Sequence, residues 1–378
     1  MNLLDAGITT PCLVVEQGKL EANAQRLRRR FAGTDVVHRP HLKTVKSLDA
    51  ARYALPSATG PAAVSTLREA EEFGRAGITD LMYAVGIAPQ KLGRVRRLRE
   101  SGIDLKIVVD NVPAAQAVAA HALAHDHPIP TLVEIDVDGH RSGVEPRDRD
   151  ALLAVARALH HGKCLAGALT HAGESYRLSD PDALRIAAEE ERASMAGVAG
   201  TLRDAGLPCE MISIGSTPTA LSLMDMTGIT EVRAGVYLFF DLCQAGIGVC
   251  GIDDIALSVL TTVIGHQRTK NWTICDAGWM AMSADRSTAS QSMDQYLGVV
   301  CDVHGRPFDD LLVVHASQEH GVIAARPGSG SEIPDLPVGT RLRILPNHAC
   351  ATAAQHERYR VVDHDLQIHH TWARFGGW

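Results

Sequence analysis

Several things are missing from this sequence, and each absence removes a class of protein. No apolar run reaches the roughly 18 residues that a membrane-spanning helix requires. No excess of positive charge is present: 37 basic residues face 44 acidic ones, for a net charge of −7, so no nucleic-acid footprint is implied. The opening MNLLDAGITTPCLVV carries neither a basic n-region nor an apolar h-region, so no secretory signal is expected. The eight cysteines form no CxxC pair and mostly lie inside apolar runs, which reads as reduced thiols in a cytoplasmic protein. Aromatic residues make up only 4% and are outnumbered by 18 histidines. What remains is ordinary for a globular chain: 46% hydrophobic residues, 21% charged, and 378 residues, enough for one large or two ordinary domains. The histidines either lie on solvated loops or do chemistry.

From about residue 35 to 240, short β-branched runs alternate with Ala- and charge-rich helical stretches. The strand candidates are VVHRP (36–40), AAVST (62–66), DLMYAV (80–85), DLKIVVD (104–110), TLVEIDV (131–137), LAGALTH (165–171), MISIG (211–215) and EVRAGVY (231–237). Most intervening helices end in Gly, as left-handed C-caps prefer. About eight βα units in this span predict a (β/α)8 barrel. A doubly wound sheet is the alternative, but no GxGxxG follows the first strand. Past about residue 250, ALSVLTTVIGHQ, NWTICDAG, QYLGVVCD, LLVVHA, RLRILP and RYRVVD read as strands of a second, all-β C-terminal domain.

Functional groups of a barrel collect at the C-terminal ends of its strands. Those ends carry Arg39, His41 and Lys43; His140 and Arg141; His171 and Tyr176; Gly215, Ser216, Thr217 and Thr219; and Arg233, Gly235 and Tyr237. GSTPTAL joins a strand to a helix with small and hydroxyl residues, a cradle for an anion such as phosphate or simply an N-cap. Lys43 stands among Arg39, His41 and Lys46, and cationic neighbours favour the neutral amine that a Schiff base needs. A solvated basic loop is the plainer reading. A lysine and a phosphate cradle at one barrel mouth together suit pyridoxal 5′-phosphate. Further on, His348 and Cys350 follow the strand RLRILP. On extended backbone the two side chains would point the same way, as a soft, zinc-preferring pair of an open metal site or as a buried thiol beside a hydrogen-bonding histidine.

RPHLKT, THAGESY, GSTPT, RAGVY, DAGW (276–279), QEHG (318–321) and PNHAC together resemble the D-serine dehydratase/D-threonine aldolase family of fold-type III, alanine-racemase-like pyridoxal enzymes. The resemblance runs from TPCLVV to RYRVV. It implies a cofactor barrel over residues 16–248 and a β domain from 1–15 plus 249–378. By resemblance, Lys43 carries the Schiff base, His171 stacks on the pyridine ring and Arg141 contacts the phenolic oxygen. Ser216 and Thr217 hold the phosphate in the GSTPT turn that Gly215 opens, with the backbone of Gly235 and Val236, while Arg233 faces the pyridine nitrogen. Tyr176 and Tyr237 are further cofactor-site candidates. His348 and Cys350 bind a divalent metal, zinc first, with manganese, cobalt or magnesium as alternatives. A homodimer is implied too.

Aldolase members carry HxD at the metal position, whereas this chain has His348 and Cys350, which resembles the dehydratase branch. The expected activity is therefore dehydration of a D-3-hydroxy amino acid to a 2-oxo acid and ammonia. Lys43 would remove the α-proton, and the metal would help the β-hydroxyl leave. The competing expectations are retro-aldol cleavage, a racemase with Tyr176 or Tyr237 as second base, and a non-catalytic pyridoxal-phosphate-binding protein. His38, His41, His140 and His320 are candidates for a substrate β-carboxylate.

Overall fold

Residues 1–378 of the computed structural model divide into two compact units. One comprises Met1–Arg26, Ser47–Tyr53 and Val236–Phe375; the other comprises Leu27–Lys46, Ala54–Gly235 and Gly376–Trp378. No helix is long and apolar enough to cross a membrane.

The chain begins with β1 (Cys12–Glu16) and α1 (Gln17–Phe31). Strands and helices then alternate: β2 (Val37–His38), α2 (Leu48–Ala54), β3 (Ala62–Val64), α3 (Leu67–Arg75), β4 (Asp80–Gly86), α4 (Leu92–Glu100), β5 (Asp104–Val109) and α5 (Val112–His125). They continue with β6 (Thr131–Ile135), α6 (Arg149–His161), β7 (Leu165–Thr170), α7 (Pro181–Asp204), β8 (Met211–Ile214), α8 (Thr217–Ser222) and β9 (Glu231–Val232). Strands β2 to β9 form one parallel sheet in the order β2-β9-β8-β7-β6-β5-β4-β3. Its two edges meet where His41 bridges Ala63: Leu42 N–H donates to the Ala63 carbonyl at 2.8 Å, and Ala63 N–H to the Pro40 carbonyl at 2.9 Å. This is the expected (β/α)8 barrel. Ala63, Met82, Val108, Leu132 and Leu169 pack into one cluster across β3–β7. Each large side chain so buried is worth roughly 1.5–3 kcal/mol.

Glycine just past α3, α4 and α7 takes positive φ, at Gly77, Gly102 and Gly206, as the sequence predicts. Helix α6 differs. Its Gly162 has φ −86, and the left-handed residue is Lys163 at φ 56. A Cβ on Gly162 would lie 2.6 Å from the Ala119 Cα, so that glycine serves the close approach of α5 and α6.

The eighth strand is shorter than EVRAGVY suggests, because only Glu231–Val232 pairs. Gly235 passes so close to the loop after β2 that a Cβ there would meet the His41 carbonyl oxygen at 2.8 Å. The chain then leaves the sheet, and Val236–Leu238 forms a 3-10 turn.

In the other unit, α9 (Leu242–Ile247) precedes β10 (Leu257–Gln267), β11 (Trp272–Cys275), α10 (Trp279–Met282), β12 (Val299–Cys301) and β13 (Pro307–Ala316). After them come β14 (Gly321–Ala325), β15 (Arg341–Leu345), α11 (Ala349–Ala353), β16 (Arg358–Val362) and β17 (Ile368–Ala373). Strands β11-β14-β13-β12-β15-β10 close on themselves through the β10–β11 pair, and β1, β16 and β17 extend the sheet from β10. Strand β17 has no counterpart in the sequence reading. Its polar IHHTWA buries only Trp372, so the apolar alternation that would announce it is nearly absent.

Candidate functional site

The barrel unit gathers a cationic cluster. Lys43 lies on the loop after β2 with its side chain exposed. Lys43, Arg141 and Arg233 all act electrostatically on His41 and His171. Burial is the first cause, and these three cations add to it: His171 is pushed down to about 3, and His41 well below the usual histidine range. Both imidazoles are neutral. His171 Nδ1 lies 3.0 Å from the Gly215 carbonyl oxygen. Because a carbonyl can only accept, Nδ1 carries the proton and Nε2 the lone pair. The Tyr176 ring stands 6.2 Å from the His171 ring, tilted by 47°.

Arg39 does not supply Lys43 with a free positive charge, as the sequence reading expects. It is buried in the barrel, 2.6 Å from Glu231 and 2.8 Å from Asp80. Lys46 is likewise paired, with Glu69 at 3.1 Å. A buried charge must find a partner or lose its proton, and Arg39 found two. Arg233 is buried as well. Its guanidinium donates to Ser213 Oγ and the Thr170 carbonyl, and Ser213 Oγ in turn donates to Glu231 at 2.5 Å. Burial pulls the Arg233 pKa down while Glu231, Glu191 and Glu134 oppose it. Arg141 is half exposed, 3.6 Å from Glu134.

The GSTPT turn is an N-cap and more. Ser216 caps α8, accepting from Thr219 N–H at 3.2 Å, and Thr219 Oγ1 accepts from Ser216 N–H at 3.1 Å. Gly215, at φ +133, admits no side chain, since a Cβ would stand 2.1 Å from the Arg233 carbonyl oxygen. Its own N–H is bound by Glu191 at 2.8 Å. The Thr217 hydroxyl is different: it is buried with no hydrogen-bond partner. An orphaned donor of this kind costs roughly 1–3 kcal/mol, and a phosphate oxygen would satisfy it. The residues present therefore fit a phosphorylated cofactor. Val236 and Tyr237, in the 3-10 turn, open the last segment of the other unit.

That other unit holds His348 and Cys350. They do not share extended backbone. His348 is the N-cap of α11 at φ −137, and Cys350 lies in the first helical turn. The helix starts there because Asp241 Oδ2, arriving from another part of the chain, accepts Ala349 N–H at 2.9 Å. Its second oxygen caps α9 through Gln244 N–H, also at 2.9 Å. One buried carboxylate thus clamps two helix starts. The His348 and Cys350 side chains still meet, through a hydrogen bond.

Asp285 takes His348 Nδ1 at 3.0 Å. Burial works against a charged imidazole, but the bonds to Asp285 and Cys350 and the charge of Asp241 win, raising His348 to about 11. For Asp285, burial is overcome by the His348 and Ser287 hydrogen bonds, which hold it at about 2. A carboxylate on one ring nitrogen leaves Nε2 for a metal, the usual arrangement around a ligating histidine. With a thiol beside it, the donor set fits a soft divalent ion.

The chain is similar to known proteins over nearly all of its length. The family model "Alanine racemase, N-terminal domain" matches residues 15–243, and a serine dehydratase domain model matches residues 256–362. The chain belongs to the alanine racemase N-terminal-domain family. The resemblance carried by the motifs from RPHLKT to PNHAC is thereby borne out. Within the family, D-threo-3-hydroxyaspartate dehydratase of Delftia sp. strain HT23 is 49% identical over 374 residues, 98% of each chain. Its solved structure covers 100% of both chains with a TM-score of 0.95. A D-threo-3-hydroxyaspartate dehydratase 48% identical to this chain has also been solved as a histidine-to-alanine mutant and, in a metal-free form, as a cysteine-to-alanine mutant two positions further along. D-serine dehydratase of Dictyostelium discoideum is 28% identical over 96% of this chain and 95% of its own. D-threonine aldolase of Filomicrobium marinum is more distant, at 25% identity and a TM-score of 0.79 over 97% and 95% of the chains.

In this family member the residues that sequence reasoning missed are carboxylates. Asp241 and Asp285 lie far from His348 in the chain, and no local pattern links them to it. Glu191 did leave a signal. Leu184, Ala188, Met195, Val198 and Leu202 form the buried stripe of α7, and Glu191 occupies an apolar position of that stripe.

Of the carboxylate-binding candidates, His38 is buried, stacked on Phe31 and pushed down to about 3 by burial and Arg28. His140 is tied to Glu174 at 2.9 Å. His320 lies in the other unit, exposed.

Proposed function

We propose that the protein is a D-3-hydroxy amino acid dehydratase dependent on pyridoxal 5′-phosphate and a divalent metal, acting on D-threo-3-hydroxyaspartate or D-serine. The observation that carries the reading is His348 next to Cys350 with Asp285 on Nδ1, in a chain 49% identical to a dehydratase. The paired mutants of that relative, one of them metal-free, support a metal at His348 and Cys350.

Bound pyridoxal phosphate supplies an electron sink for charge developing at the substrate α-carbon. Lys43 would hold the cofactor through its amine and take the α-proton at Nζ. The neutral ring of His171, fixed by the Gly215 carbonyl, would stack on the cofactor without adding charge. Ser216 and the unpartnered Thr217 hydroxyl, with the backbone of Gly235 and Val236, would hold the phosphate. Arg233 would face the ring nitrogen as a cation and keep it unprotonated, while Arg141 would meet the phenolic oxygen. Tyr176 and Tyr237 complete the proposed cofactor shell. His348, through Nε2, and Cys350 would hold the metal, zinc in the first place, whose Lewis acidity helps the β-hydroxyl depart. Water is lost in elimination and regained on hydrolysis to the 2-oxo acid and ammonia. Residues 16–248 would carry the cofactor, and residues 1–15 and 249–378 the metal ligands, in a cytoplasmic homodimer.

A product assay tests this. D-threo-3-hydroxyaspartate, D-serine and D-threonine are supplied separately, with and without chelator. Oxo acid and ammonia, lost on chelation and restored by zinc or manganese, are expected. Glycine with an aldehyde or glyoxylate would overturn the dehydratase in favour of an aldolase, and full activity after chelation would remove the metal.

A further inference from the structure

Helix α7 is 24 residues long and packs its apolar stripe through Leu184, Ala188, Met195, Val198 and Leu202. Its neighbouring acids Glu189 and Glu190 are exposed, yet Glu191 is 1% exposed. A carboxyl buried in an apolar stripe costs several kcal/mol unless hydrogen bonds or a counter-charge offset its desolvation. Glu191 Oε1 accepts the Gly215 N–H at 2.8 Å, while its Oε2 is buried with no hydrogen-bond partner. Gly215 opens the turn and Thr219 closes it. Thr219 is locked to Ser216 by the reciprocal cap, and Ser216 Oγ lies 2.9 Å from Ser175 Oγ. Gly215 cannot be held by a side chain of its own, because at φ +133 it has room for none. With Gly215 committed to Glu191 and Ser216 to Thr219, the Thr217 hydroxyl between them is left unpartnered.

We propose that Glu191 is a positioning residue for the cofactor phosphate: by accepting from Gly215 it fixes the start of the turn so that Thr217 can bind phosphate. This rests on the reading that Ser216 and Thr217 hold that phosphate. Glu191 touches no reacting atom and acts through the turn alone. The interaction needed is hydrogen-bond acceptance at Gly215, which a glutamine side-chain oxygen supplies equally well.

The test uses full-length protein freed of cofactor, titrated by absorbance with pyridoxal 5′-phosphate and with pyridoxal, which lacks the phosphate. In Glu191→Ala, pyridoxal 5′-phosphate should bind about tenfold or more weakly, the effect of one lost buried hydrogen bond. Pyridoxal affinity should change by less than about threefold. Glu191→Gln should return pyridoxal 5′-phosphate affinity to within about threefold of the unaltered protein. Unchanged affinity in Glu191→Ala, equal weakening of both ligands, or a glutamine variant no better than alanine would each overturn the proposal. If the alanine variant does not fold, Glu191→Asp, with its carboxyl drawn back by one methylene, must show the same phosphate-selective loss. Should the unaltered protein bind both ligands equally, the phosphate reading itself fails, and Glu191 falls with it.

Discussion

The barrel unit and the β unit treat histidine in opposite ways. In the barrel, His171 and His41 are half-buried among Lys43, Arg141 and Arg233, and both are held neutral. In the β unit, His348 is half-buried, but Asp285, Cys350 and Asp241 face it and it is raised to about 11. Burial pushes in the same direction in both places. The sign of the neighbouring charge decides the outcome. A neutral ring can stack on a cofactor without adding charge beside it. A carboxylate-braced imidazole suits a metal, because the carboxylate that holds the proton also orients the ring and raises its basicity.

The largest expected effect breaks the cationic side of this contrast. Lys43→Ala should cost about 10²–10⁴-fold or more in turnover, since it would remove both the proposed anchor and the proposed proton acceptor. The visible absorbance of bound pyridoxal phosphate should vanish with it. Persistence of that band would remove Lys43 from the cofactor site.

Next in size is the carboxylate side. Asp285→Ala should weaken zinc binding by about 10–100-fold, measured by competition with a chromophoric chelator. The same titration sharpens the charge argument. His348 raised to about 11 is protonated in metal-free protein at neutral pH, so metal must displace that proton. Affinity should therefore climb with pH, by about tenfold per unit for one proton released. In Asp285→Ala the climb should flatten above the ordinary histidine range. A slope unchanged by the substitution would mean that Asp285 does not govern the proton on His348.

The smallest effect concerns the neutral histidine. His171→Phe keeps a flat ring but loses the hydrogen bond to the Gly215 carbonyl. That bond is worth about 0.5–1.5 kcal/mol, so pyridoxal phosphate affinity should fall about two- to tenfold. A larger loss, approaching that of Lys43→Ala, would show that His171 does more than stack and orient.

The barrel was legible because its signal is local. Each strand and helix announces itself by its own periodicity, and αL glycines such as Gly77, Gly102 and Gly206 mark the helix ends. Two features misled. EVRAGVY is apolar enough for a full strand, but Gly235 has to pass within contact of His41 and so ends the pairing. PNHAC follows a strand directly, yet Asp241 caps it into a helix from more than a hundred residues away. Strand β17 was hidden because it buries one residue of six.

By itself, the sequence determined the alternation that makes the barrel, the order of the motifs and the family to which they belong, because these depend on near neighbours along the chain. Only the tertiary structure decided which charges are free. Arg39 looked like a partner for Lys43 and is spent on Glu231 and Asp80; Asp285 and Asp241, unremarkable in the chain, set the charge on His348. Desolvation and Coulomb forces act through space, so the state of a histidine is a property of its surroundings and not of its place in the chain.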